Sequence, residues 1–155
     1  MNATVAIRRA TTSDRAYVRE LGRRVSGTSV SSMRPGDPEL VAEAYERLVD
    51  YVLTRDHAIL IATDGDAPLG FVLVVFDLPE EVTLEEQAFV AYMAVDEGSR
   101  RRGVGRALLD AVEAIARDRG IPHVSLMVTE ENEAARALYA GAGFATERRL
   151  LTKAL

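Results

Sequence analysis

Cysteine is absent from the 155 residues, so the chain has no disulfide, no thiolate metal ligand and no thiol that could carry an acyl group. Acyl transfer, if it occurs, must pass directly between two bound substrates. Histidine is scarce: His57 and His123 are the two imidazoles, far apart in sequence and each expected inside a strand. Neither a zinc site nor a histidine-based triad has material to build on, and no metal is expected. Lys153 is the single lysine among 19 basic residues, which reads as a codon bias towards arginine. Against 24 acidic residues these give a net charge of −5, opposite to the excess of cations that neutralises phosphates, so no nucleic-acid partner is expected. No apolar run reaches the roughly 20 residues of a spanning helix, and Met1-Asn2-Ala3-Thr4 lacks the basic and apolar blocks of a signal peptide. The expectation is a soluble, cytoplasmic protein without a membrane partner. At 48% hydrophobic and 28% charged residues, one domain over residues 1–155 is the default.

Hydrophobic patterning predicts a short strand over residues 5–9, then an amphipathic helix capped by Thr12 or Ser13 and carrying Tyr17, Val18, Leu21 and Val25. A polar loop follows from Ser26 to Pro38. Asp37-Pro38 opens a second helix that keeps helical spacing to Arg55. Residues 57–63 and 69–76 are β-rich runs joined through Asp64-Gly65, an antiparallel hairpin signal. After the acidic stretch 77–86 come a strand over 87–95, a helix over 104–119 ended by Gly120, a strand over 122–128, a helix over 132–140 and a last strand over 144–152. The order predicts an α/β fold: a mixed central sheet of about six strands flanked by four helices.

Arg100-Arg101-Arg102-Gly103-Val104-Gly105-Arg106 stands between a strand and a helix. Gly103 and Gly105 let backbone N–H groups approach an anion, the helix N-terminus adds its positive dipole end, and four arginines add charge. This is the composition of a phosphate cradle. A dinucleotide fingerprint would need glycine at position 108, which is Leu, and a Walker loop would end in Gly-Lys-Ser or Gly-Lys-Thr, which is missing. The next strand leads into Asn132-Glu-Ala-Ala135-Arg-Ala-Leu138-Tyr139-Ala-Gly-Ala-Gly143-Phe144.

With these two blocks in order, the chain resembles the GNAT superfamily of N-acetyltransferases, closely over residues 87–145 and only in the order of elements over residues 5–76. The resemblance implies acetyl-CoA as cosubstrate and a small-molecule or peptide amine as acceptor. It also implies that the backbone of Met93, Ala94 and Val95 pairs with the pantetheine arm where the central strands splay. In the loop opened by Arg100, the amides of Arg101, Arg102, Gly103, Val104, Gly105 and Arg106 would hold the pyrophosphate. Asn132 would touch the cofactor or fix its loop, and Tyr139 would sit by the sulfur as general acid. A phenol with a pKa near 10 is protonated at neutral pH and suited to that role. Read alone, Tyr139 is also a helix-face aromatic and Asn132 also a helix cap.

The pattern departs from the family in three places. The strand before the loop offers Phe89, Ala91 and Tyr92 where many relatives carry a carboxylate base, and position 127, a glutamate in the ribosomal-protein alanine acetyltransferases, is Met127. Asp77, Glu80, Glu81, Glu85 and Glu86 could attract a cationic amine, but as an acidic turn they are also ordinary solvated charge. Only about eleven residues follow Phe144, so the sheet lacks a terminal hairpin or a second copy covers its edge in a homodimer. The expected activity is sequential acetyl transfer to a primary amine. The alternatives are a coenzyme-binding sensor without turnover and transfer of a longer acyl group. Without an inherited base, an acceptor of low pKa, such as an α-amine, is favoured.

Overall fold

The computed structural model describes residues 4–155. Its strands are β1 (Ala6–Arg9), β2 (His57–Asp64), β3 (Ala67–Val75), β4 (Ala88–Val95) and β5 (Val124–Leu126). Its α-helices are α1 (Arg15–Val25), α2 (Pro38–Leu53), α3 (Val104–Asp118) and α4 (Glu133–Gly141). The strands lie in sequence order in one sheet, antiparallel from β1 to β4, and α3 carries the chain across to a parallel β5. The expected α/β architecture with four α-helices stands, but with five strands rather than six.

Local chemistry accounts for most of these bounds. Asp37 caps α2 by accepting from the N–H groups of Glu39 and Leu40, and Pro38 fills the first helical position, where no donor is needed. The β2–β3 hairpin closes with Asp64 opposite Ala67, and Gly65 supplies the positive φ of 59° at its tip. Gly120, at φ 69°, ends the chain's run through α3. The start of α1 differs from expectation. Neither Thr12 nor Ser13 caps it: Asp14 accepts from Thr11 N–H, its carboxyl held down to about 2 chiefly by the Arg8 guanidinium, and the chain enters α1 through a 3-10 turn.

The core lies on both faces of β3. Phe71, Val72, Leu73 and Val74 are each 0% exposed, because α1 and α2 cover one face and α3 the other. A methyl group at Gly22 of α1 would fall 1.9 Å from Tyr45 Cζ, so the close approach of α1 to α2 requires glycine there. Tyr45 in turn donates its hydroxyl to Val18 O at 2.8 Å. Tyr17, one turn earlier on α1, buries its hydroxyl without a partner, and burial pushes this phenol up to about 12. Opposite responses follow: Tyr17→Phe should raise stability by about 1 kcal/mol and Tyr45→Phe should lower it by a similar amount, as read from urea midpoints.

The last expected strand does not form. Residues 144–152 pair with no strand, and Leu150 and Leu151 are 86% and 88% exposed. Arg148 instead engages Glu80 and Glu81, and Thr152 accepts from Arg34. The expected strand over 122–128 shrinks to Val124–Leu126, with His123 outside it. Pro122 has no N–H to give, and β4 leaves β5 after three paired residues. Among the described residues no helix is long and apolar enough to cross a membrane, and no cluster of three His, Asp or Glu side chains could hold a metal.

Candidate active site

The site is built where β4 runs into α3. Arg101 and Gly103 both take left-handed backbone conformations, with φ of 61° and 76°. Glycine carries this freely, whereas an arginine there is held at a cost that folded proteins usually accept at functional loops. A Cβ at Gly103 would meet nothing within 4 Å, so conformation, not space, calls for glycine. Among the described residues, none of the backbone N–H groups of residues 101–106 donates to a backbone acceptor; Ala107 is the first, to Gly103 O at 3.0 Å. No side chain caps α3 either. A run of unpaired donors at a helix N-terminus has the geometry that favours an anion.

The side chains of the loop divide. Arg102 reaches Asp64 of the hairpin at 3.0 Å, while Arg106 pairs with Asp110 and donates to Gly141 O of α4 at 2.9 Å. Val104 points into the core and is 2% exposed, so it offers only its amide. Arg100 and Arg101 are exposed. Gly105 has a further use: a Cβ there would lie 2.8 Å from Leu138 Cδ2 and 3.7 Å from Met93 Cε, so this glycine lets α4 dock on the start of α3.

Upstream, β4 carries a bulge. Leu73 faces Tyr92 but Val74 faces Val90, which leaves Ala91 as the extra residue and turns the strand. Pairing with β5 covers Ala88 to Val90 and stops there, so the remaining β4 edge opens away from β5. Asp96 donates its N–H to Leu69 O on β3. Alternation then turns Ala94 towards β3 as well, and turns the N–H and C=O groups of Met93 and Val95 to the opened side. Gly70 makes this junction possible: its Cβ would stand 2.6 Å from Ala94 O and 3.1 Å from Val95 Cα.

α4 supplies the remaining expected residues. Asn132 caps it, accepting from Ala135 N–H at 3.2 Å. Tyr139 is half-buried, edge-on to Phe144 at 5.8 Å between centroids. Its phenol is raised above the usual value by burial first and by the neighbouring Tyr92 second. Tyr92 is raised by burial and eased by the Ser29 side chain, and its ring packs on Tyr45 at 4.8 Å. The named neighbours of the two phenols, Ser29, Tyr45 and Phe144, are uncharged. In the acidic run, Glu80 accepts from Val82 and Thr83 N–H within its own turn, and Glu85 meets His123 Nδ1 at 3.3 Å. Glu85 and Glu86 line a groove of about 460 Å3 that runs alongside β5 and α3 and reaches Phe144. Sequence reasoning missed the use of Gly70, Ser29, Ser32, Thr129 and Glu131. Their partners lie far away along the chain, and no spacing marks them.

Known proteins are similar to this chain in sequence and in fold. A mycothiol acetyltransferase of Beutenbergia cavernae is 39% identical over 85 residues, which is 55% of this chain and 27% of that protein. The chain thus spans about a quarter of the length of the curated relatives it matches. In fold, a solved structure from Pyrococcus furiosus superposes with a TM-score of 0.82 at 23% identity, covering 98% of this chain and 100% of that one. A complex of AAC(6')-Iy with the bisubstrate analogue CoA-S-monomethyl-acetylneamine superposes with a TM-score of 0.73 at 20% identity, covering 98% of each chain. The acetyltransferase (GNAT) family model matches residues 25–144, and the chain belongs to that family.

Proposed function

We propose that this chain transfers an acetyl group from acetyl-CoA directly to a primary amine, with residues 1–155 acting as one catalytic domain. The observation that carries the reading is the run of unpaired amides over residues 101–106 beside the opened edge of β4. The residues present fit the coenzyme: the amides and the exposed Arg100 and Arg101 suit its diphosphate, and the N–H and C=O groups of Met93 and Val95 suit an amide-bearing arm. Asn132 acts indirectly, by capping the helix that carries Tyr139.

The bound thioester supplies the activated acyl group. As the amine's C–N bond forms and the thioester's C–S bond breaks, Tyr139 gives its hydroxyl proton to the departing thiolate and regains one from the proton that the amine sheds; its raised pKa keeps the phenol protonated through neutral pH. Because β4 offers Phe89, Ala91 and Tyr92 and no carboxylate base, the attacking amine arrives uncharged rather than held as a cation. An α-amine with a pKa near 7.7–8.0 meets that condition at far lower cost than a lysine side chain near 10.4.

A free-thiol assay over an amine panel tests this. Turnover of alanine amide should rise with pH and level off above about 8, while that of the lysine side chain should stay low and keep rising towards about 10. Equal turnover of both across pH 6 to 9 would contradict the preference. No thiol release with any amine, despite coenzyme binding, would contradict the enzymatic reading.

A further inference from the structure

The segment between α1 and α2 is tied down by residues about a hundred positions away. Residues 26–37 hold one 3-10 turn, Ser26–Ser29, and are rich in serine and glycine, so little apolar burial fixes them. Glu131 accepts from Ser32 N–H at 3.2 and 3.0 Å through its two oxygens and from Ser32 Oγ at 2.7 Å. Thr129 donates its hydroxyl to Ser29 O at 2.7 Å. Thr129 also accepts from Asn132 N–H at 2.9 Å, so both ties issue from the turn that starts α4. Ser29, whose carbonyl Thr129 holds, is also the side chain that eases the Tyr92 phenol, and Tyr92 in turn raises that of Tyr139.

We infer that Glu131 and Thr129 form a latch that holds residues 26–36 over the Tyr92–Tyr139 pair, making them positioning residues for the acceptor amine. The inference rests on the acetyl-transfer reading of Tyr139. Geometry gives the latch its direction: one end is anchored at the cap of the helix bearing Tyr139, and the other holds Ser29, the residue that acts on Tyr92. Among the described residues no hydrogen bond or ion pair joins the latch to residues 101–106. Exposed hydrogen bonds of this kind are weak enough to open in water, and a loop without its own core must open locally to admit a substrate. The carboxylate of Glu131, held below its usual range by Ser32, remains charged at neutral pH and keeps the closed form favoured.

The test is a Glu131→Ala/Thr129→Val double variant, with Glu131→Gln as the conservative control. Hydrogen exchange should speed up roughly five- to tenfold within residues 26–36 and stay unchanged in α3. The KM for alanine amide should rise by a similar factor with CoA affinity intact, and Glu131→Gln alone should recover part of both effects. Unchanged exchange in residues 26–36 would overturn the latch, and so would faster exchange with the KM for alanine amide unmoved. The exchange measurement needs no substrate. Failure of the acetyl-transfer reading would instead appear as no thiol release from acetyl-CoA with any amine in the unmutated chain.

Discussion

Tyr139→Phe should lower kcat by at least about 10²-fold while leaving CoA affinity and stability close to those of the parent. Phenylalanine keeps the ring against Phe144 and removes only the hydroxyl that would give its proton to the thiolate. Burial favours the protonated phenol, so the pKa moves up and the group stays an acid as pH rises. The parent kcat should therefore show no fall due to this group below pH 10, and the variant should lose activity uniformly across that range. Turnover unchanged by the substitution would remove Tyr139 from the mechanism and leave it a packing residue of α4.

Gly70→Val is expected to destabilise the fold by about 3 kcal/mol or more. The atoms in its way are backbone, Ala94 O at 2.6 Å and Val95 Cα at 3.1 Å, and Val104 Cγ1 follows at 3.4 Å. No side-chain rotation relieves such a contact, so β3 and β4 must part where β4 hands the chain to the cradle. Urea unfolding should show the loss, and CoA affinity should fall with it because Met93, Val95 and the loop move together. Gly105 provides the contrast. There the obstructing atom is Leu138 Cδ2, the movable end of a side chain, so alanine should cost much less. A Gly70→Val variant as stable as the parent would show that the β3–β4 junction is looser than this geometry.

Elements bounded by local chemistry were legible in the sequence. The Asp37 cap and Pro38 set the start of α2, Gly65 set the hairpin, and Gly120 set the end of α3. Elements that depend on neighbours were not. β5 and the unformed strand over 144–152 have acceptable residues for strands, yet β4 bends at Ala91 and leaves too little edge to pair. The proposed cradle stands out in the sequence because its glycines and arginines fall within seven residues, and Tyr139 because it stands at a fixed spacing after Asn132. Within that cradle the sequence could not separate two kinds of glycine. Gly103 answers to a backbone angle and Gly105 to Leu138, a residue on another helix. The ties from Ser32 to Glu131 and from Ser29 to Thr129 span 99 and 100 residues and carry no periodic signature. Ordinary serines and a surface glutamate announce nothing until the fold brings them together.

The central claim is that the main-chain nitrogens opening α3 receive the coenzyme's diphosphate. Amide NMR of the 15N-labelled chain during titration with CoA tests it most directly. The account predicts that the largest shifts fall on the amides of residues 101–106, accompanied by Met93 and Val95. Saturable CoA binding with those resonances unmoved, or no binding, would contradict it.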